Sequence, residues 1–108
     1  MDKKILESLK KFKDSLEELG IKVKKMIIFG SQAKGLAGEY SDIDVVVISD
    51  NFERMNILER LEIIGLASAR SKIMDPIEAL GYTEKEYASK RKGSFIYDEV
   101  KNKGIEIK

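Results

Sequence analysis

Asp42 and Asp44 stand on either side of Ile43, at the head of the apolar run Val45-Val46-Val47-Ile48. In an extended chain alternate residues share a face, so the two carboxylates project together from Cα atoms ~6.5–7 Å apart. Such a pair can share one hard cation or bracket two, since phosphoryl-transfer sites hold paired metals ~3.5–4 Å apart. Aspartate is disfavoured in strands, so two of them heading an apolar strand run against local propensity, as functional residues often do. Ten residues separate Asp42 from Gly30-Ser31, which directly follows the apolar Met26-Ile27-Ile28-Phe29. A strand that turns through Gly-Ser into a helix offers free backbone N–H groups to a phosphate, and the serine hydroxyl adds a donor. Lys34, one turn later, would pair with a triphosphate. Taken singly, Gly-Ser is also the ordinary chemistry of a turn and cap, and Asp-x-Asp that of a solvated strand end.

The surrounding pattern supplies elements that could position these groups. Ile5, Leu9, Phe12, Leu16 and Leu19 recur at helical spacing over residues 3–19, with Gly20 as the stop. Residues 22–29 end as a buried strand, Ser31–Lys34 open a short helix, and Gly35–Ser41 read as a loop. Over 42–49 the two-residue period puts Asp42, Asp44, Val46 and Ile48 on one face and Ile43, Val45 and Val47 on the other. Helical spacing returns over 53–70 through Ile57, Leu58, Leu61 and Ile64. Residues 71–79 read as a third strand, which Pro76 makes an edge strand or a bulged one. Thr83 and Glu86 form a capping-box pair for a helix starting near Glu84. Gly93 then divides it from a helix over 94–103, and Ile105-Glu106-Ile107 close as a strand. This alternation predicts an α/β (α+β) domain, a small mixed sheet with helices packed against it.

Gly30-Ser31, ten residues, then Asp42-Ile43-Asp44, each pair joined to an apolar strand, resembles the signature of the nucleotidyltransferase superfamily that includes polymerase beta. Ala33-Lys34-Gly35 and Tyr40-Ser41 are similar to that family's Gly-Ser-x-Ala-x-Gly and Ser-Asp-x-Asp contexts. The resemblance covers nearly the whole chain. It is to the minimal nucleotidyltransferases, small single domains often encoded as antitoxins beside a helical HEPN-type toxin. It implies the nucleotidyltransferase fold, ATP as substrate, and two magnesium ions, with manganese as a substitute. It further implies transfer of AMP to a hydroxyl with release of pyrophosphate. Gly30 and Ser31 would hold the triphosphate with Lys34, and Asp42 and Asp44 the metals. A third carboxylate on a neighbouring strand would join them and orient or deprotonate the acceptor. Asp75, after Lys72-Ile73-Met74, is the first candidate for both roles, and Glu78 is the reserve. Pro76, directly after Asp75, departs from a regular strand.

Composition narrows the chemistry further. The 108 residues contain no histidine and no cysteine, which excludes imidazole bases, thiolate nucleophiles, disulfides and Cys/His zinc sites. Twenty basic and nineteen acidic residues give a net charge of +1, so overall charge predicts no strong attraction to nucleic acid or membranes. The lysine runs at 22–25 and 90–92 read as solvated faces, and Tyr82, Tyr87 and Tyr97 as packing or adenine-stacking rings. No apolar run reaches the ~18–20 residues of a membrane span, and the charged start lacks a signal peptide's apolar stretch; the expected location is the cytoplasm. Abundant Lys and Glu, with one Gln and three Asn, suggest a thermophilic source. The length fits one domain, with no room for a second core to hold an acceptor. The acceptor is therefore expected on another chain, a second copy or a different protein, and the resemblance points to a tyrosine of a HEPN-type toxin. The rival reading is a non-catalytic module of the same fold that binds its partner sterically.

Overall fold

The computed structural model describes residues 3–34, 42–72 and 76–107. Helix α1 (Lys3–Glu18) buries Leu9, Phe12 and Leu16, the stripe set by its three-and-four spacing. It ends where Ile21 N–H donates to the Leu16 carbonyl at 2.9 Å and Gly20 N–H to Glu17 at 3.1 Å, with Gly20 at φ 92°. This paired closure folds buried Ile21 back toward Leu16.

Strand β1 (Lys25–Phe29), helix α2 (Gly30–Lys34) and strand β2 (Ile43–Ile48) follow. After a 3-10 turn at Asp50–Phe52 come helix α3 (Ile57–Ser71), strand β3 (Ile77–Tyr82), helix α4 (Glu84–Ala88), a π-helical turn (Ile96–Lys101) and strand β4 (Ile105–Ile107). The sheet order is β3-β2-β1-β4, with β1 antiparallel to β2 and β4, and β2 parallel to β3. One face carries Ile28, Ile43, Val45 and Val47 against Leu9, Phe12 and Leu16 of α1 and Ile64 and Ala67 of α3. The other carries Ile27, Phe29, Val46 and Ile48 against Ile96 and Val100. Fully burying each such side chain stabilises by about 1.5–3 kcal/mol, so β2, apolar on both faces, is the strand the fold can least lose. The two faces are those the alternation predicts. No helix among the described residues is long and apolar enough to cross a membrane.

Three elements differ from the sequence expectation. The third strand begins at Ile77 rather than residue 71, because α3 continues to Ser71 and ends at Lys72 in the left-handed region (φ 53°). Pro76 thus precedes the strand, where its missing N–H costs no ladder bond, and its carbonyl accepts from Ile43 N–H at 2.8 Å. The strand also runs through Gly81, where a β-carbon would lie 2.8 Å from the Phe52 ring; the glycine admits that ring. The helix expected over 53–70 starts later, at Ile57, because Asn56 accepts from Glu59 N–H (2.8 Å) while the Glu59 carboxylate accepts from Asn56 N–H (3.0 Å), capping α3 there. The helix expected over 94–103 is the shorter π-helical turn that seats Ile96 and Val100 on the sheet. The Thr83–Glu86 capping box, the edge position of β3 and the closing strand are as expected. The loop expected at 35–41 lies outside the described residues.

Arg60 was not singled out by the sequence, yet it ties α3 to its surroundings. Its five N–H donors are all used: Nε to the Met55 carbonyl, Nη1 to Gly81 and Glu86, and Nη2 to Phe52 and Glu86, at 2.7–3.1 Å. The guanidinium also lies over the Phe52 ring, 5.6 Å from its centroid. With Arg60 turned inward, Ile57 and Leu58 of the expected apolar stripe are left 76% and 64% exposed. Glu86 is held below the ordinary carboxylate range first by its bond to Arg60. The pair's contribution is therefore complete above the free glutamate value near ~4.3 and is lost as pH falls through the lowered folded value. Arg60→Met should cost about 2–4 kcal/mol, because three backbone carbonyls lose their donor along with the ion pair. Urea melts check this, and the stability gap between wild type and Glu86→Gln should close as pH falls through the lowered folded value of Glu86.

Candidate functional site

The ladder of β2 assembles the site. In the antiparallel pairing Phe29 stands opposite Asp44, so the chain leaves β1 and enters Gly30 beside that carboxylate. In the parallel pairing Asp44 stands beside Glu78. One row across the sheet therefore reads Phe29, Asp44, Glu78, and Asp42 lies one residue before β2.

Gly30 marks how closely the two motifs meet. Its φ is 72°, and a β-carbon there would lie 2.6 Å from Asp44 Oδ2, inside any tolerable contact. Only glycine combines that backbone turn with that approach. Ser31 is half-buried in the first turn of α2. Lys34 ends α2; its side chain and Asp75 lie outside what the structure describes. Glu78, the reserve, is the carboxylate found beside the aspartates. It interacts with Asp42 and Asp44 by charge repulsion and hydrogen bonding, which push its carboxyl above the ordinary range. The signal available in the sequence was a glutamate between apolar residues in Ile77-Glu78-Ala79; its partner across the sheet could not be read without the parallel register.

These groups line one end of a groove of about 610 Å³. Among the described residues Asp44 and Glu78 are its only charged lining groups, and Phe29, Leu61, Gly65, Leu80 and Phe95 are among the others. Phe95 packs edge-on against Phe29 with centroids 5.6 Å apart. Among the described residues no group of three or more side chains could hold a metal ion unaided. Magnesium sites of the phosphoryl-transfer kind need less, since one or two carboxylates are completed by substrate phosphates and water. The oxygen-only donor set, the mutual repulsion of the acids and the glycine-shaped gap at Asp44 fit that arrangement. The other candidates are otherwise engaged. Lys90 lies over the Tyr82 ring and Lys101 over Tyr87 and Tyr97, so these rings take intramolecular cations. Lys24 pairs with Asp50 at 2.6 Å and Glu84 at 2.9 Å.

Gly30→Ala should destabilise the protein by about 1–3 kcal/mol, through its positive φ and the collision with Asp44. A smaller change in thermal unfolding would mean that the glycine is not needed for the fit. For Glu78, a raised folded value means that the charged carboxylate is unfavourable in the native protein, so stability declines as pH rises through the titration. Glu78→Gln should therefore raise the melting temperature of metal-free protein at pH 7, and the gain should vanish in acid.

The chain is similar to known proteins in sequence and in fold. A model of the nucleotidyltransferase domain matches residues 9–107. The chain is 35% identical over 108 residues to a Methanocaldococcus jannaschii protein named "putative protein adenylyltransferase", covering 95% of this chain and 98% of that one. Its backbone is similar to a crystal structure titled "putative nucleotidyltransferase" from Sulfolobus solfataricus, with TM-score 0.53, 25% identity, and 82% and 81% of the two chains covered. A toxin-antitoxin crystallised with AMP-PNP shares the fold at TM-score 0.58 and 22% identity, over 90% of this chain and 69% of that one. With its match over residues 9–107 and a relative 35% identical over nearly its whole length, the chain belongs to the nucleotidyltransferase domain family.

Proposed function

We propose that the protein transfers AMP from ATP to a hydroxyl group of a partner protein, a tyrosine of a HEPN-type toxin. The observation that carries this reading is the contact geometry of Gly30 and Asp44, which sets the phosphate-binding turn against the carboxylates with no room for a β-carbon. The relative named as a protein adenylyltransferase and the toxin-antitoxin neighbour with AMP-PNP support the donor and the kind of acceptor.

Gly30 and Ser31, with Lys34, bind the triphosphate, and Asp42 and Asp44 hold magnesium or manganese. The metal, when bound, neutralises the triphosphate and the charge that develops on it in transfer. The acceptor oxygen bonds to the α-phosphorus, the bond from that phosphorus to the bridging oxygen breaks, and pyrophosphate leaves. The hydroxyl proton goes to a carboxylate, since no imidazole exists in the chain. Glu78 takes that role in preference to Asp75, because it lies in the same row as Asp44.

The test is incubation with α-labelled ATP, magnesium and the product of the neighbouring gene. Label should reach the partner with wild type and be lost with Asp44→Asn. Glu78→Gln should slow transfer by roughly 100-fold or more, the usual scale of acid–base catalysis, while Asp75→Asn keeps it. The reverse pattern would move the third carboxylate to Asp75. Full neutralisation of the partner by Asp44→Asn, without label, would establish the steric module instead.

A further inference from the structure

We propose that the free edge of β3 is a strand-addition site, which takes an extended, apolar, non-acidic segment of the partner and carries its hydroxyl to Glu78. The role as acceptor site rests on the transferase reading; the binding does not.

The ladder fixes which backbone groups face outward. Ile43 N–H bonds the Pro76 carbonyl at 2.8 Å and Ser49 N–H the Tyr82 carbonyl at 2.9 Å. In a parallel ladder both groups of one residue point to the same side, so residues 76, 78, 80 and 82 bond β2. Ile77, Ala79 and Gly81 therefore point their N–H and C=O groups away from it. The Gly81 carbonyl is taken by Arg60 at 3.1 Å, which closes that end of the edge. The groups of Ile77 and Ala79 have no partner of that kind among the described residues, and β3 ends the sheet.

The edge forms the floor of the groove already described, since Ile77, Glu78, Ala79 and Leu80 line it consecutively. Its walls are apolar: beside buried Ile64 and Ala79, Leu61 is 48% exposed and Phe95 55%, and a β-carbon on Gly65 would meet nothing within 4 Å. Apolar surface of this kind beside a reactive centre marks an interaction site rather than a solvated face. Among the described residues the groove's charges are the carboxylates of Asp44 and Glu78, which complement a neutral or basic segment and repel an acidic one. A strand added here pairs its backbone with Ile77 and Ala79 and alternates its side chains. One set meets Leu61 and Gly65; the other lies on the face of Glu78 and Leu80, where a hydroxyl reaches the site.

The probe is a fluorescent ten-residue Thr/Val-rich peptide with a central tyrosine and a lysine at each end, with two copies N-methylated at alternate amides in opposite registers. Anisotropy without metal or nucleotide should show binding by the parent. One N-methylated copy should bind about thirtyfold more weakly, as expected from losing two backbone bonds of roughly 1 kcal/mol each, while the other retains affinity. Leu61→Lys and Phe95→Lys should also weaken the parent. No binding by the parent, or equal binding by both methylated copies, would overturn the proposal. So would a dimer in sedimentation that Leu61→Lys dissolves, since a second copy would then fill the edge. Failure of AMP transfer would count against the transferase reading, whereas the strand-addition site is decided by the peptide alone.

Discussion

The register of β2 against its two neighbours is the constraint from which the rest of this protein follows. Asp44 must face Phe29 on one side and Glu78 on the other for the Gly30-Ser31 turn and the carboxylates to meet. The same register sends Ile43, Val45 and Val47 into the core beneath α1 and α3, and Val46 and Ile48 into the core beneath the π-helical turn. A slip of one residue would turn the aspartates toward the core beneath α1 and α3, so the apolar packing holds the acidic residues in place. Burial on both faces of β2 outweighs the repulsion among Asp42, Asp44 and Glu78, which sit at the strand ends where water screens them.

Arg60 secures the other side of the arrangement. It joins the turn after β2, the start of α3, the end of β3 and the cap of α4 through one guanidinium. Because it takes an inward position on α3, apolar residues of that helix face outward beside the groove. The stabilising contact and the exposed surface are two results of one helix rotation. An apolar residue at 60 would pack but would leave the carbonyls of Phe52, Met55 and Gly81 without this donor.

What the sequence made legible depended on local signals. Alternation along β2, the capping pair Thr83–Glu86 and the stop at Gly20 each act within a few residues, and all three are found. The family resemblance, carried by Gly30-Ser31 and Asp42-x-Asp44, placed the fold. Features that the sequence ranked second, as with Glu78, or missed depend on pairings distant in the chain. Glu78 meets Asp44 only through the parallel register, Arg60 meets Glu86 across 26 residues, and Gly81 continues a strand only because Phe52 packs on it. Helical spacing in α3 correctly found a helix but could not say which stripe faces inward, since a buried arginine reverses the expectation. Asp75, the preferred third carboxylate, falls outside the described residues, whereas Glu78, the reserve, lies beside Asp44.

The central claim is that one metal–triphosphate site is formed jointly by the turn after β1 and the carboxylates of β2 and β3. It is tested most directly by amide NMR of the full chain during titration with manganese in the presence of ATP. The signals of Gly30, Ser31, Asp42, Asp44 and Glu78 should broaden together at substoichiometric metal, ahead of those of exposed acids such as Glu17 and Glu18. Broadening spread over the surface acids, or absent from Gly30 and Ser31 while present at Asp44, would contradict it.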